Sequence, residues 1–280
     1  MKLWGRSSSR RLQVRGAHGM LPATLLGSDG SDSSADNLLV FLHAGNFISR
    51  SFERLEDFYH GLREVIPSLS MLVPSYTLAT VSPFPTALED TYNTLLWVTS
   101  NQHKLGWNGK HLIVAGIEAG ANLAAAAALM CRDRQGPHID GQILLTPMLD
   151  PAFESRSMQE SVMSAGQFFA ARRSATGFHS YLPNPADRKH PYATPLHATR
   201  LHNLPPTLIF SAEGDPLRDE AEAYGQKLIA HGVRTSVVRL QRITLESQDA
   251  RTRCCTSDQV IGDISGFVAR LTSPRRAFAM

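Results

Sequence analysis

The sequence predicts an α/β fold with a mostly parallel central sheet and helices on both faces. Short apolar runs of strand length alternate with longer segments of helical periodicity, as in a parallel sheet that is covered on both sides. The chain has 280 residues, of which 42% are hydrophobic and 19% charged, a composition that suits one large buried core. Pro85 and Gly232 mark a helix start and a helix end.

A polar, low-complexity turn at 27–35 separates the first two predicted strands. The second of them is the apolar run at 37–43, which we predict to be a strand buried on both faces. The next predicted elements are a helix at 52–65, a strand at 70–75 and a helix at 85–100.

The second half continues the alternation with a strand at 111–115, an Ala-rich helix at 119–132 and a strand at 141–145. Residues 151–187 interrupt the alternation and are predicted to form a small helical insert, a reduced cap over the sheet. After the insert we predict a strand at 207–211, a helix at 217–231, a strand at 235–240 and a helix at 258–271. Residues 1–280 are thus predicted to be a single domain.

Composition narrows the class of function. The formal net charge is +3, and acidic and basic residues are mixed between the termini, so we expect no nucleic-acid partner. The three cysteines, Cys131, Cys254 and Cys255, lack metal-ligand spacing, so we expect no metal and no cofactor. No apolar run has the length of a membrane span or a secretory signal, which predicts a cytoplasmic protein without a membrane partner.

Chemistry is expected at the carboxyl ends of the parallel strands. The loop His43-Ala44-Gly45-Asn46-Phe47 follows one predicted strand, and its backbone amides are suited to bind a developing oxyanion. The segment 116–120, Gly-Ile-Glu-Ala-Gly, has the frame of the G-x-S-x-G nucleophile elbow, with Glu118 in the central position. Asp215 follows another strand; it either orients a catalytic base or caps the next helix.

Five motifs in order resemble those of the bacterial hormone-sensitive-lipase-like carboxylesterases. They are HAGNF at 43–47, YTLATVSPFPTALED at 76–90, GIEAGANLA at 116–124, YLPNPADRKHPYATPL at 181–196 and LPPTLIFSAEGDPLRDEAEAY at 204–224. The resemblance covers nearly the whole chain and implies the α/β-hydrolase fold. It also implies that Asp215 is the triad acid, and that the amides of Gly45, Asn46 and Ala119 form the oxyanion hole.

Two departures from the family pattern bear on catalysis. Glu118 stands in the position of the nucleophilic serine, and Leu245 falls where the catalytic histidine is expected. Loss of triad members costs on the order of 10⁴–10⁶ in turnover in well-studied serine hydrolases. The sequence therefore predicts a protein that is inactive or nearly so, unless a distant histidine such as His18, His179 or His197 takes over as the base.

Three hypotheses remain for Glu118. Its carboxylate fills the oxyanion hole, since a helix N-terminus favours an anion. Alternatively, Glu118 is a tolerated, partly solvated replacement in a protein that has lost or changed its function. In the third, Glu118 and Asp215 form an acid–base pair that hydrolyses esters or lactones.

These hypotheses lead to three functions. The first is a pseudoenzyme that binds a small apolar or ester-like ligand in a pocket lined by His43, Ala44, Phe168 and Phe169. The second is an unusual carboxylic-ester or lactone hydrolase. The third is a protein-interaction module with a vestigial pocket, and a homodimer is one expected assembly.

Overall fold

A computed structural model describes residues 8–27, 34–51, 55–164, 166–245 and 247–273. It contains an eight-stranded sheet. In chain order its strands are β1 (Ser8–Arg15), β2 (Met20–Gly27), β3 (Ala35–Leu42), β4 (Leu69–Pro74), β5 (Trp107–Ile117), β6 (Gly141–Leu145), β7 (Thr207–Gly214) and β8 (Thr235–Thr244).

The strand order across the sheet is β1-β2-β4-β3-β5-β6-β7-β8. β1 and β2 form an antiparallel hairpin, and β2 pairs antiparallel with β4. All remaining pairs, from β4 to β8, are parallel. The predicted mostly parallel sheet is therefore confirmed, and the carboxyl ends of β3, β5, β7 and β8 lie along one edge.

Nine α-helices lie in the described part of the chain, together with two short 3-10 helices at Pro185–Lys189 and Pro195–His197. The α-helices are α1 (Leu55–Val65), α2 (Thr86–Ser100), α3 (Gln102–Leu105), α4 (Ala119–Asp133), α5 (Arg156–Met163), α6 (Phe168–Tyr181), α7 (Arg218–Ala230), α8 (Gln248–Cys255) and α9 (Asp258–Thr272).

Two apolar cores lie on opposite faces of the sheet. Leu38, Val40 and Leu42 of β3 belong to the core that includes α2, α4 and α7. The alternate residues Leu39 and Phe41 belong to the core that includes α1 and α9. Since successive strand side chains point to opposite faces, a continuous apolar run is what a doubly covered strand requires.

The Ala-rich helix α4 packs closely against the centre of the sheet. All residues from Ala119 to Cys131 are buried, which is unusual for a helix and depends on its small side chains. The short alanine side chain lets the helix axis approach the strands, and alanine also has the highest helix propensity. This close packing against the sheet fixes the position of the first turn of α4 and of the tight turn that precedes it.

Element boundaries differ from the sequence predictions where pairing extends a strand. β5 begins at Trp107, which pairs with Ala35, and β8 continues to Thr244, which pairs with Gly214. Two helices were not predicted, the single-turn α3 and the two-turn α8. The predicted turn at 27–35 lies mainly outside the described residues, as does the predicted helix start at 52.

The region between β6 and β7 contains α5 and α6, within the predicted insert at 151–187. α5 begins after Ser155, whose hydroxyl accepts a hydrogen bond from the amide of Met158. Among the described helices, none combines the length and the apolar character needed to cross a bilayer.

Candidate active site

Glu118 forms the sharp turn between β5 and α4. Its backbone angles, φ 57° and ψ −113°, are costly for a residue with a side chain. The flanking glycines make the turn possible. A Cβ on Gly116 would clash with the carbonyl oxygen of Gly120, and a Cβ on Gly120 would clash with that of Leu42. The turn therefore directs the side chain of Glu118 to the edge where the carboxyl ends of the strands meet.

The carboxylate of Glu118 is buried and bound by two backbone amides. The residue is 2% exposed, and its Oε2 accepts hydrogen bonds from Gly45 N and Asn46 N, both at 2.9 Å. Hydrogen bonds from amides to a carboxylate are about twice as strong as neutral ones. Both donors come from the loop after β3, whose amides were predicted to bind an oxyanion.

The loop has a backbone conformation that presents consecutive amides. Gly45 has φ 131°, Asn46 φ 53° and Phe47 φ 63°. A Cβ on Gly45 would clash with the backbone of Ser49, so this position requires glycine. Ala119, the third predicted donor, is the first residue of α4 and is completely buried.

Arg251 of α8 lies between Glu118 and Asp215. Its Nη1 and Nη2 donate to the two carboxylate oxygens of Asp215 at 2.8 and 2.9 Å. Its Nε lies 3.7 Å from Oε1 of Glu118. Burial disfavours the charged guanidinium, but the carboxylates of Asp215 and Glu118 outweigh this effect and raise the pKa of Arg251. The site is thus a buried cluster of two carboxylates and one guanidinium.

Of the two roles predicted for Asp215, orienting a catalytic base or capping the next helix, the described contacts fit the second, because its charged partner is a guanidinium and not a base. It is 1% exposed, and besides binding Arg251 its Oδ1 accepts a hydrogen bond from Leu217 N at 3.1 Å, just before α7. It therefore orients a cation and also satisfies an amide at the helix start.

Leu245 follows the end of β8 and is completely buried in the core on the α1 and α9 side. Its amide donates to Gly214 O at 2.9 Å. The side chain is apolar, so this position offers no group that accepts a proton.

The other histidines considered as a base lie elsewhere. His18 and His179 are exposed, and Nε2 of His197 lies 3.2 Å from Oδ1 of Asp150. The side-chain partner of Asp215 in the structure is Arg251. None of the three is therefore placed as the histidine of a triad would be, next to Asp215.

The four predicted pocket residues occupy two different environments. His43 and Ala44 are both 1% exposed. The His43 ring stacks on Tyr76 with centroids 4.1 Å apart, and burial lowers the pKa of His43 to about 4, so the ring is neutral at pH 7. Phe168 and Phe169 lie on α6 and are 37% and 66% exposed. The structure does not bring these two pairs together.

Sequence reasoning missed Arg251. The available signal was the charge balance: a buried aspartate and a buried glutamate without a histidine require another cation. A second signal was Ser247, a residue type that favours a helix start. Its hydroxyl accepts a hydrogen bond from Ala250 N at 3.1 Å and caps α8, the helix that carries Arg251. In the described ranges, no three His, Cys, Asp or Glu residues cluster as metal ligands would.

The sequence was compared with known proteins. Residues 39–244 match a family model described as alpha/beta hydrolase fold. An arylesterase of Saccharolobus solfataricus is 32% identical over 206 residues, which are 73% of this chain and 66% of that protein. The carboxylic ester hydrolase LipN of Mycobacterium tuberculosis is 32% identical over 240 residues, 83% of this chain and 62% of that protein. The chain therefore spans less than two thirds of the length of either curated relative.

Solved structures of esterases are also similar to this chain. An esterase of Pyrobaculum calidifontis has a TM-score of 0.80 at 29% identity, covering 93% of this chain and 85% of that chain. A thermostable esterase from Pseudomonas putida has a TM-score of 0.82 at 25% identity, covering 95% of this chain and 82% of that chain.

Proposed function

We propose that this chain, which belongs to the esterase-like and lipase-like family with the alpha/beta hydrolase fold, binds a small apolar or ester-like ligand and does not hydrolyse esters. Glu118 takes the place of the nucleophile and also closes the oxyanion hole. The observation that carries the proposal is that Gly45 N and Asn46 N both donate to Oε2 of Glu118.

Closure of the hole removes electrostatic stabilisation of the transition state. Acyl transfer requires preorganised donors about 2.7–3.1 Å from the developing oxyanion. Here both loop donors already bind the carboxylate of Glu118. A substrate oxygen would have to displace the carboxylate, break two charge-assisted hydrogen bonds and leave a buried charge uncompensated.

The described residues of the site, Glu118, Asp215, Arg251 and Leu245, also include no histidine that would serve as the base. In a serine hydrolase a histidine takes the proton from the nucleophile and passes it to the leaving group. Arg251 fills the space between Glu118 and Asp215, and its raised pKa keeps the guanidinium protonated. A group that never loses its proton does not act as a general base.

Hydrolysis by Glu118 and Asp215 themselves is the alternative function, and the names of both curated relatives describe ester hydrolysis. The geometry does not favour it. Both carboxylates are almost fully buried, and both are already held, Asp215 by Arg251 and Glu118 by the loop amides. A nucleophile or base must reach the substrate within hydrogen-bond distance.

The test is an assay on short p-nitrophenyl esters. We expect that neither wild type nor Glu118→Ala exceeds the buffer blank, because the first has no free oxyanion hole and both lack a base. Glu213→Ala, which changes an exposed glutamate at the end of β7, is the matched control. Circular dichroism establishes that each variant is folded.

One outcome contradicts the proposal. If wild type and Glu213→Ala turn over the ester while folded Glu118→Ala does not, Glu118 is catalytic and the alternative function holds.

A further inference from the structure

An apolar groove of about 650 Å³ lies between α5 and α6. Phe153, Met158, Val162, Met163 and Phe168 contribute to its lining. Its volume falls within the range of about 300–1,000 Å³ that is typical of small-molecule sites. Phe153 lies just before α5, so the groove is formed by the insert and not by the sheet edge.

The groove coincides with the main concentration of exposed apolar surface. Four of the nine large apolar side chains that are exposed in the described part of the chain lie within residues 162–169. Met163 is 87% exposed and Phe169 66%. Val162, Met163 and Phe168 also line the groove. Exposed apolar area costs about 25 cal/mol per Å² in water, so apolar side chains gathered at a groove are typical of a binding surface.

A single cation accompanies this apolar lining. Arg172 of α6 lines the groove and is exposed. Its guanidinium forms no ion pair with any described residue, whereas Glu160 of α5 is engaged by Arg156 and Arg218. An unpaired guanidinium beside an apolar groove is complementary to a ligand with one anionic end.

The groove is distinct from the buried cluster of Glu118, Arg251 and Asp215, none of which contributes to its lining. Phe178 lies between the two regions. Its ring packs against Phe153 of the groove with centroids 5.8 Å apart and against Phe47 of the loop after β3 with centroids 5.7 Å apart.

We propose that this groove binds an amphipathic monocarboxylate, such as a medium-chain fatty acid. The hydrocarbon tail lies along α5 and α6 over Met163 and Phe168, and the carboxylate accepts two hydrogen bonds from Arg172. The fork of donors on a guanidinium matches the two oxygens of a carboxylate. The inference rests on the proposed function, in that the bound molecule is a ligand and not a substrate.

The test measures binding of dodecanoate to the full chain by isothermal titration calorimetry. We expect saturable binding with one site per chain. Arg172→Gln should weaken it by about 5-fold, since an exposed charge pair is partly screened by water. Arg173→Gln is the matched control, because Arg173 is exposed on the same helix and does not line the groove.

Two further measurements separate the tail from the headgroup. Dodecanol should bind wild type and Arg172→Gln equally, because it carries no charge. Met163→Asp should weaken both dodecanol and dodecanoate, because it places a charge beside the tail, and its high exposure makes the substitution compatible with folding.

Several results overturn the proposal: no saturable binding of dodecanoate, or equal losses in Arg172→Gln and Arg173→Gln. Tighter binding of dodecyl phosphate than of dodecanoate overturns the carboxylate assignment. A dimer that Met163→Asp dissociates shows that a second copy of the chain covers the groove. The ester assay is independent of all of these, so turnover of an ester together with normal dodecanoate binding contradicts only the proposed function.

Discussion

Glu118, Arg251 and Asp215 depend on one another because all three side chains are removed from water. Taking a charge into the protein interior costs several kcal/mol even after relaxation. The bidentate contact of Arg251 with Asp215 and the two amides on Glu118 offset that cost. Removal of Arg251 leaves two buried carboxylates without a cation, whereas removal of Glu118 leaves Arg251 and Asp215 paired with each other.

At this scale we predict that Arg251→Ala lowers the free energy of unfolding by about 3–5 kcal/mol, because it leaves two buried carboxylates without a cation. Arg253→Ala is the control, since Arg253 is an exposed arginine on the same short helix; its effect should stay within about 0.5 kcal/mol. Urea unfolding followed by circular dichroism measures both. Similar midpoints for the two variants would show that the buried cluster contributes nothing to stability.

At the scale of elements, the turn between β5 and α4 is the most constrained connection in the site. Gly116 is required by the turn itself, since its Cβ would meet the backbone of Gly120, whereas Gly120 is required by the neighbouring strand β3 through Leu42. The position of α4 follows from the same close approach, since its buried alanines lie directly on the sheet. The direction of the Glu118 side chain is therefore set by how α4 meets the strands.

We predict opposite effects for two glycine-to-alanine substitutions. Gly120→Ala should destabilise the protein by about 1–3 kcal/mol, because its Cβ would overlap the backbone of Leu42. Gly262→Ala should stabilise it by about 0.5–1 kcal/mol, because Gly262 lies inside α9 with nothing near its Cβ position. Differential scanning calorimetry compares the melting temperatures. A neutral Gly120→Ala would mean that α4 is free to move away from β3.

For the whole molecule, the sheet brings together segments that are far apart in the chain. The site takes Gly45 from the end of β3, Glu118 from the end of β5, Asp215 from the end of β7, and Arg251 from α8 beyond β8. Catalysis would require a nucleophile, a base and an oxyanion hole from different segments at once. If the proposed function holds, we therefore expect that a change in one segment alone does not create an active site.

We predict that Glu118→Ser alone gives no turnover of p-nitrophenyl acetate above the buffer blank. The substitution supplies a hydroxyl and frees the loop amides, but Leu245 is apolar and Arg251 remains protonated, so no group takes the proton from the serine. Thermal unfolding establishes that the variant is folded. Saturable turnover that disappears on further change of Asp215→Asn would show that the fold supplies a base from another segment.

Local sequence features were sufficient to predict the order and type of most elements. The alternation of apolar runs and helical segments places the strands, and Gly116 and Gly120 locate the elbow, because both signals depend on neighbouring residues. Pairing partners were not available from the sequence. The extension of β5 to Trp107 and of β8 to Thr244 follows from hydrogen bonding to distant strands, and α8 is too short for its periodicity to identify it.

The sequence by itself determined that Glu118 stands at the elbow, that Asp215 follows β7 and that Leu245 follows β8. Only the tertiary structure decided what these residues contact. Glu118 accepts hydrogen bonds from two amides of the loop after β3, and Arg251 pairs with Asp215. The physical reason is that propensity and periodicity act between neighbours along the chain. Contacts between buried charged groups depend instead on the order of the strands in the sheet and on desolvation of the groups. Both exist only in the folded molecule.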